Sequence, residues 1–561
     1  MLVRKLVPSL VAALSAQAAA QSPSTVYRYV DNAHPGVGAS VRGVGDLNGD
    51  GEREVAVASY NVSCGFAGCL PASSRIAVLS GASGDVLYTI TPPLNADAGA
   101  ALDTLDDIDG DGVRELVVGV PYLGGLFNPI GGMKLYSGAD GAELLTIFGP
   151  APFSFVGHSV AGLDDFDGDG RADVAATDWN SVRLYSSASG AELFALTSPL
   201  QSPSQSVVAR YSDWDQDGRD DFLVGFTSSS AQESGVVQIR SGASGALLLA
   251  IAPAVPEPSF GWDVRAAGDL DADGRVDIVV GAPQVDLGFG AGFGFAQAYS
   301  ATGALLHHFV GASPNAHLGF VVAGGADVNG DTRPDLVIAS ACGLSTANCA
   351  RQALVFDGVS GASLATVDAP FVGSGGVSVD LVGDLNGDGR SEVGFGSACS
   401  EWFASCGVAT LFSVSSSVVS TYCTPGVSSN GCSASMLASG VASASATSGF
   451  TIAATQVEGQ RQSLFFYGVS GRTGLPWGST GSFLCVKPPV QRTVLLNSGG
   501  VLGQCNGAVQ FDWLLFLGAT PGALGAPFQV GDVVNSQVWY RDPPSSNGTQ
   551  LSNALEFTLV P

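Results

Sequence analysis

The chain is short of cationic and titrating side chains. Its 561 residues hold 23 Lys and Arg against 50 Asp and Glu, with five His and three Met. The formal charge of -27 argues against nucleic acid and anionic lipid as partners. No run reaches the ~20 apolar residues of a membrane helix, so no membrane span is expected. Zinc-spaced Cys-x-x-Cys pairs, phosphate-binding glycine loops and dinucleotide fingerprints are all missing. Of the five histidines, His34, His158, His307, His308 and His317, the second and the last fall at the starts of repeated strands, where packing or hydrogen bonding is the expected role. Gly157-His-Ser-Val-Ala161 lacks the last glycine of a nucleophile elbow, and Ser83 in Gly81-Ala-Ser-Gly84 reads as a hairpin turn residue. No catalytic residue is assigned.

The beginning of the chain has the form of an export signal. Arg4 and Lys5 precede an apolar stretch from Leu6 to Ala16, and Ala18-Ala19-Ala20 supplies small residues for cleavage. Residues 1–20 are expected to be removed, leaving a secreted or cell-surface protein beginning near Gln21. Ten cysteines, an even number, suit an oxidising compartment. They fall into short-range couples: Cys64/Cys69, Cys342/Cys349, Cys399/Cys406, Cys423/Cys432 and Cys485/Cys505. Local disulfides within these couples are the expectation. Connectivity does not follow from spacing alone.

What the chain does have is 76 glycines and a sevenfold internal repeat. The pattern Asp-x-Asp/Asn-x-Asp-Gly-x-x-Asp/Glu followed by an apolar run starts at Asp46, Asp107, Asp165, Asp213, Asp269, Asp327 and Asp384. The sixth copy alone replaces the turn glycine, with Thr332. Each repeat reads as four short strands, such as Ser40–Val44 before a loop, Glu115–Gly119 after one, and Met133–Tyr136 leading through Ser137–Gly141 into a fourth. Seven such units suit the blades of a β-propeller, whose closure removes exposed sheet edges. Either Val26–Val30 or Val418–Tyr422 would complete the last blade. The N-terminal strand is favoured because joining the chain's ends locks the ring.

The spacing carries metal chemistry. Carboxylates at positions 1, 3 and 5 of a tight loop converge, a main-chain carbonyl at position 7 joins them, and a carboxylate at position 9 closes the cage. The side chains are Asp46, Asn48, Asp50 and Glu54 in the first loop, and Asp107, Asp109, Asp111 and Glu115 in the second. They are Asp165, Asp167, Asp169 and Asp173 in the third, and Asp213, Asp215, Asp217 and Asp221 in the fourth. The fifth has Asp269, Asp271, Asp273 and Asp277, the sixth Asp327, Asn329, Asp331 and Asp335, and the seventh Asp384, Asn386, Asp388 and Glu392. The carbonyls would come from Glu52, Val113, Arg171, Arg219, Arg275, Arg333 and Arg390. Hard oxygen donors in this number point to calcium, up to seven ions. Position 12 is apolar in every copy (Val57, Val118, Ala176, Val224, Val280, Ile338, Phe395), so each loop runs into a strand and lacks the closing Glu of an EF-hand.

These repeats resemble FG-GAP repeats, as in the propeller of integrin α subunits. The fifth has both signatures, Phe260-Gly261 before the loop and Gly281-Ala282-Pro283 after it; Phe155-Val-Gly157 and Gly119-Val-Pro121 are looser forms. The resemblance covers residues 24–420 and implies a seven-bladed propeller with calcium between the first two strands of a blade. Residues 421–561 lack such loops. They resemble a C-terminal module of secreted planctomycete-type bacterial proteins, with Trp-Tyr-Arg-Asp-Pro at Trp539–Pro543, and are expected to form a small disulfide-bonded β-sandwich.

The whole is therefore read as all-β, and its function as calcium-dependent binding or adhesion to an extracellular glycan or protein. A propeller hydrolase and a structural surface component are the alternatives. Aromatics of the second-to-third-strand connections are the candidate contact residues: Phe66, Tyr122, Phe127, Trp179, Phe289, Trp402 and Phe403. Three of the cysteine couples fall in that same connection, in repeats one, six and seven, which are consecutive only if the ring closes.

Overall fold

The computed structural model describes residues 24–31, 36–59, 64–65, 68–69, 74–92, 98–99, 101–125, 129–284, 292–313, 316–341, 351–369, 377–398, 407–414, 419–440, 442–444, 447–478, 481–529 and 531–559. The chain divides into two compact units, Ser22–Ser415 and one that contains Ser416–Pro561.

The first unit holds seven four-stranded antiparallel sheets. Six are built from consecutive strands of one repeat, for example Leu102–Leu105, Glu115–Gly119, Gly132–Tyr136 and Glu143–Phe148 in the second. The seventh contains Val377–Gly383, Glu392–Ser397 and Val408–Ser413, and is completed by Ser24–Tyr29 from the start of the chain. Tyr29 pairs with Ala409 and Ser24 with Ser413, so the N-terminal strand closes the ring as expected.

Burial follows from strand alternation. The second strand of each repeat is buried throughout, as in Glu54–Ser59 and Asp335–Ser340. Successive side chains point to opposite faces of a strand, so full burial means that both faces of the sheet are covered. Val55 and Val57 pack with Val382, Leu385 and Leu411 of repeat seven. Ala56 and Ala58, from the same strand, pack with Leu116 and Val118 of repeat two. Such clusters join every successive pair of repeats, and the last joins repeat seven to repeat one. The core is thus a ring of seven inter-sheet layers. Arg42 on the innermost strand of repeat one binds Asp103 of repeat two at 2.9 Å and Asp380 of repeat seven at 3.5 Å, spanning the seam. The first strands of repeats six, seven and one (Leu318–Ala326, Val377–Gly383, Val37–Gly45) pack in that order. The main chains of Cys64 and Cys69 face each other in a two-stranded ribbon. Cys342, Cys349, Cys399 and Cys406 lie outside the described residues.

The second unit packs a five-stranded sheet on a three-stranded one. The larger has the order Val419–Tyr422, Thr549–Thr558, Val533–Arg541, Gln462–Gly468, Gln491–Asn497. The smaller has Ser435–Gly440, Phe450–Val457 and Gly507–Asp512. Val419–Tyr422, the other candidate for closing the propeller, is an edge strand here. Between the sheets lie Phe450, Phe465, Tyr467, Trp513, Tyr540 and Phe557. A short helix, Trp513–Ala519, is capped by Asp512, whose carboxylate accepts from the Leu515 N–H at 3.1 Å. Its apolar stretch gives no helical signal distinct from a buried strand.

The disulfides of this unit correct the sequence expectation. Cys423 pairs with Cys485 and Cys432 with Cys505, not Cys423 with Cys432 and Cys485 with Cys505. The cause is the sheet. The Tyr422 hydroxyl donates to the Cys485 carbonyl at 3.0 Å, which sets the strand Ser482–Val486 beside the end of Val419–Tyr422. Cys423 therefore meets a partner 62 residues away before its chain neighbour.

Candidate metal centres

All seven acidic loops fold by the same hydrogen-bond scheme. The position-1 carboxylate accepts the N–H of position 6, as from Gly112 to Asp107 at 2.9 Å and from Gly274 to Asp269 at 3.0 Å. The position-5 carboxylate accepts the N–H of position 7, seen for Glu52, Val113, Arg171, Arg219, Arg275, Arg333 and Arg390 at 2.8–3.0 Å. The position-9 carboxylate accepts the N–H of position 2, for instance Ile108 to Glu115 at 2.6 Å and Val328 to Asp335 at 2.9 Å. In repeats three to six its other oxygen reaches the turn between strands three and four, as from Gly242 to Asp221 at 2.9 Å and from Ala301 to Asp277 at 3.0 Å. One carboxylate therefore bolts the loop to the neighbouring hairpin. The hairpin comes so close that a Cβ on Gly242 would lie 1.9 Å from the Asp220 carbonyl oxygen, which explains the glycine there.

The seven position-9 side chains, Glu54, Glu115, Asp173, Asp221, Asp277, Asp335 and Glu392, are all buried. Loss of water is the main force on them, and the other acids of the loop add to it. It pushes Glu115, Asp335 and Glu392 up to about 7 and Asp173 and Asp277 up to about 6; Glu54 and Asp221 move in the same direction. Asp107, exposed at position 1, is lowered by the Gly110 and Gly112 N–H groups.

In five loops three acids offer oxygens within 4.8 Å of one another: Asp107, Asp109 and Glu115; Asp165, Asp167 and Asp173; Asp213, Asp215 and Asp221; Asp269, Asp271 and Asp273; Asp384, Asp388 and Glu392. Such acidic clusters are chemically fit to hold a hard cation. Loops one and six, among the described residues, form no such triad. Their position 3 is an amide that donates inward. The Asn48 Nδ2 bonds Asp50 and Glu54, each at 3.0 Å, and the Asn329 Nδ2 bonds Asp331 at 3.3 Å and Asp357 at 3.0 Å. Asn386 does the same toward Glu392 at 2.5 Å.

Some features have no signal in the nine-residue motif. Position 4 is left-handed in every loop, even where it is Gln216 (φ 63°) or Ala272 (φ 66°). Thr332 holds the position-6 geometry at φ 70°, and its N–H still donates to Asp327 at 2.6 Å. Position-7 arginines reach the preceding loop. Arg219 donates to the carbonyls of Asp165 and Phe166, Arg333 to those of Asp269 and Leu270, and Arg275 lies 5.9 Å over the Trp214 ring.

The opposite end of the sheets carries aromatics. Tyr122, Phe153, Phe155, His158 and Trp179 form a chain of ring contacts across repeats two and three, with centroids 4.4–6.5 Å apart. Phe153 and Trp179 are 59% and 48% exposed. Tyr122 and Trp179 are the expected contact residues; Phe66, Phe127, Phe289, Trp402 and Phe403 lie outside the described side chains. Phe153 and Phe155, from the fourth-to-first connection, join them; both have left-handed backbone (φ 63° and 54°), Phe153 being exposed and Phe155 half-buried. His158 packs on Trp179 with its Nε2 buried and unpartnered, and burial pulls it down to about 4. His317 bonds the Pro283 carbonyl at 3.0 Å and His307 that of Gly358 at 2.8 Å. His34 lies outside the described residues.

The family model for the FG-GAP-like repeat matches residues 165–224 and 213–280. Integrin alpha-V of Gallus gallus is 28% identical over 207 residues, covering 32% of this chain and 19% of that protein. Integrin alpha-IIb of Homo sapiens is 27% identical over 202 residues, covering 31% and 19%. The match spans about a fifth of each relative's length. A solved complex of BBS1N with ARL6DN, soaked with lead, aligns with 70% of this chain and 98% of that one at 10% identity and a TM-score of 0.41. At that score the fold rests on the sheet topology and the repeat match. Together these make the seven-sheet unit an FG-GAP-repeat, integrin-α-like β-propeller.

Proposed function

We propose that the chain is an exported, calcium-loaded propeller that serves as a binding or adhesion module for an extracellular glycan or protein. The donor set favours calcium. It is all oxygen, with three or four acids per loop and no His or Cys among them. Asp107, Asp109, Asp111 and Glu115, with the Val113 carbonyl, would hold the ion in the second loop, and the equivalent residues in the others. A bound ion neutralises acids that otherwise repel one another and stiffens the turn between the first two strands.

The observation that carries the binding reading is the aromatic cluster at the end of the sheets away from the acidic loops, in which exposed Phe153 and Trp179 flank half-buried Tyr122 and Phe155. Exposed aromatic faces stack on sugar rings and anchor protein interfaces. The leader-like residues 1–20 and the disulfides Cys423–Cys485 and Cys432–Cys505 support export. Among the described residues no helix is long and apolar enough to cross a membrane.

The test is a glycan array and a panel of extracellular proteins, probed with calcium and with chelator, followed by the double variant Phe153→Ala, Trp179→Ala. Both side chains are exposed, so the melting temperature should hold while affinity for the captured ligand falls at least tenfold. Unaltered affinity would place the site elsewhere.

A further inference from the structure

A pocket of about 310 Å³ opens on the face of the five-stranded sheet that turns away from the main core of the C-terminal unit. Its floor is a patch of sheet. Leu464 lies opposite Trp539, Trp539 opposite Leu551, and Phe466 opposite Arg492. Its roof is the hairpin Arg472–Trp477/Ser482–Val486, which contributes Trp477 and Leu484. Val490 and Arg492 border it from the exposed edge strand and the turn before it.

The roof is held in place without any ligand. The Gln537 side chain donates to the Phe483 carbonyl at 2.9 Å and accepts the Cys485 N–H at 3.1 Å. The Leu551 N–H donates to Ser482 Oγ at 3.2 Å, the Trp477 indole to Thr549 Oγ1 at 3.2 Å, and Cys423–Cys485 ties the hairpin to the edge of the sheet. The cavity is therefore preformed, and a ligand need not order it. At about 310 Å³ it falls at the lower end of the size range of small-molecule pockets.

We propose that this pocket binds a small aromatic carboxylate. Two indoles and a phenyl ring offer stacking and edge contacts to an aryl group. Arg492 is the single charged residue of the lining, and among the described residues its guanidinium forms no ion pair. A guanidinium at the border of an apolar cavity selects an anionic head on an apolar body, and carboxylate matches its fork. The site lies wholly within the C-terminal unit and is independent of the propeller's acidic loops and aromatic platform.

The full chain is titrated calorimetrically with 3-phenylpropionate, with the neutral 3-phenylpropionamide, and with propionate. The acid should bind one site per chain about tenfold more tightly than the amide, and propionate should show no saturable binding. Arg492→Gln, an exposed substitution, should abolish the preference and leave acid and amide equal. Val490→Trp, also at an exposed position, should weaken both at least tenfold by filling the pocket. Equal affinity of wild type for acid and amide, no binding of the acid, a preference that survives Arg492→Gln, or binding unaffected by Val490→Trp would each overturn the proposal.

Discussion

Arg333 donates to the main-chain carbonyl of Asp269 at 3.2 Å and so grips the first residue of the loop belonging to the preceding repeat. The same guanidinium nitrogen reaches the Leu270 carbonyl at 3.2 Å, and Arg219 repeats the grip on the third loop. Adjacent acidic loops are thus mechanically joined. Charge-assisted hydrogen bonds to a partly buried carbonyl contribute about 1–2 kcal/mol. Arg333→Ala should lower stability by that amount and weaken cation binding in the fifth loop, although Arg333's own side chain is not a ligand. Thermal melts, together with calcium titration followed by NMR of loop-five amides, would check this. A loss confined to loop six would show that the grip transmits nothing.

Thr332 should be a liability. A β-branched residue in the left-handed region costs about 1–2 kcal/mol, and glycine escapes that cost at some loss of chain entropy. Thr332→Gly should therefore stabilise the protein by roughly 1 kcal/mol. The converse change, Gly112→Thr at φ 88°, should destabilise it by a similar amount. Denaturant melts of the two variants read both signs.

The buried position-9 acids set a pH dependence whose sign depends on the ion. Without metal, Glu115, Asp335 and Glu392 rise to about 7, above the ~4 of an unfolded chain. A raised folded-state value means that the folded form holds the proton more tightly. That stabilisation is complete below the unfolded value and is lost as pH climbs through 6 to 7, where Asp173 and Asp277 titrate too. Chelated protein should melt higher at pH 5 than at pH 8. Calcium-loaded protein should do the reverse, because protons compete with the ion for the same oxygens. Parallel profiles with and without calcium would contradict this.

Non-reducing peptide mapping should return Cys423 joined to Cys485 and Cys432 joined to Cys505. These cross-links close loops of 62 and 73 residues, for which chain entropy gives about 4 kcal/mol each. Replacing Cys432 and Cys505 together by Ser should lower the stability of the C-terminal unit far more than that of the propeller, read as separation of two melting transitions.

Much of the propeller was legible because its determinants are local. The loop acids recur at fixed offsets, and the apolar run after Glu54 or Asp335 alternates between two neighbours and so has to be buried on both faces. The closing strand was legible only as a choice: the one slot left in the last sheet has two candidates, Val26–Val30 and Val418–Tyr422, and the structure fills it with Ser24–Tyr29. Features set by distant chain were not legible. Cys423 finds Cys485 through strand order, which spacing does not encode. The grips of Arg219 and Arg333 are not legible, since nothing in one repeat shows which carbonyls the preceding repeat presents to it. The place of Phe153 and Phe155 in the aromatic cluster has no local signal, since their left-handed backbone has no glycine or asparagine to announce it. The inward-donating amides of Asn48 and Asn329 likewise appear only once Glu54 and Asp331 are placed beside them.

The central claim is that the repeated loops are cation sites. It is tested most directly by calorimetric titration of exhaustively chelated protein with calcium, in parallel with thermal melts. At least five sites per chain are expected, one for each converging triad, with loops one and six weakest. Each site stabilises the fold by ~2.7 kcal/mol at a hundredfold its dissociation constant, so the propeller transition should move sharply upward. Zero or one site per chain, with an unchanged melt, would show that the loops are hydrogen-bonded turns and nothing more.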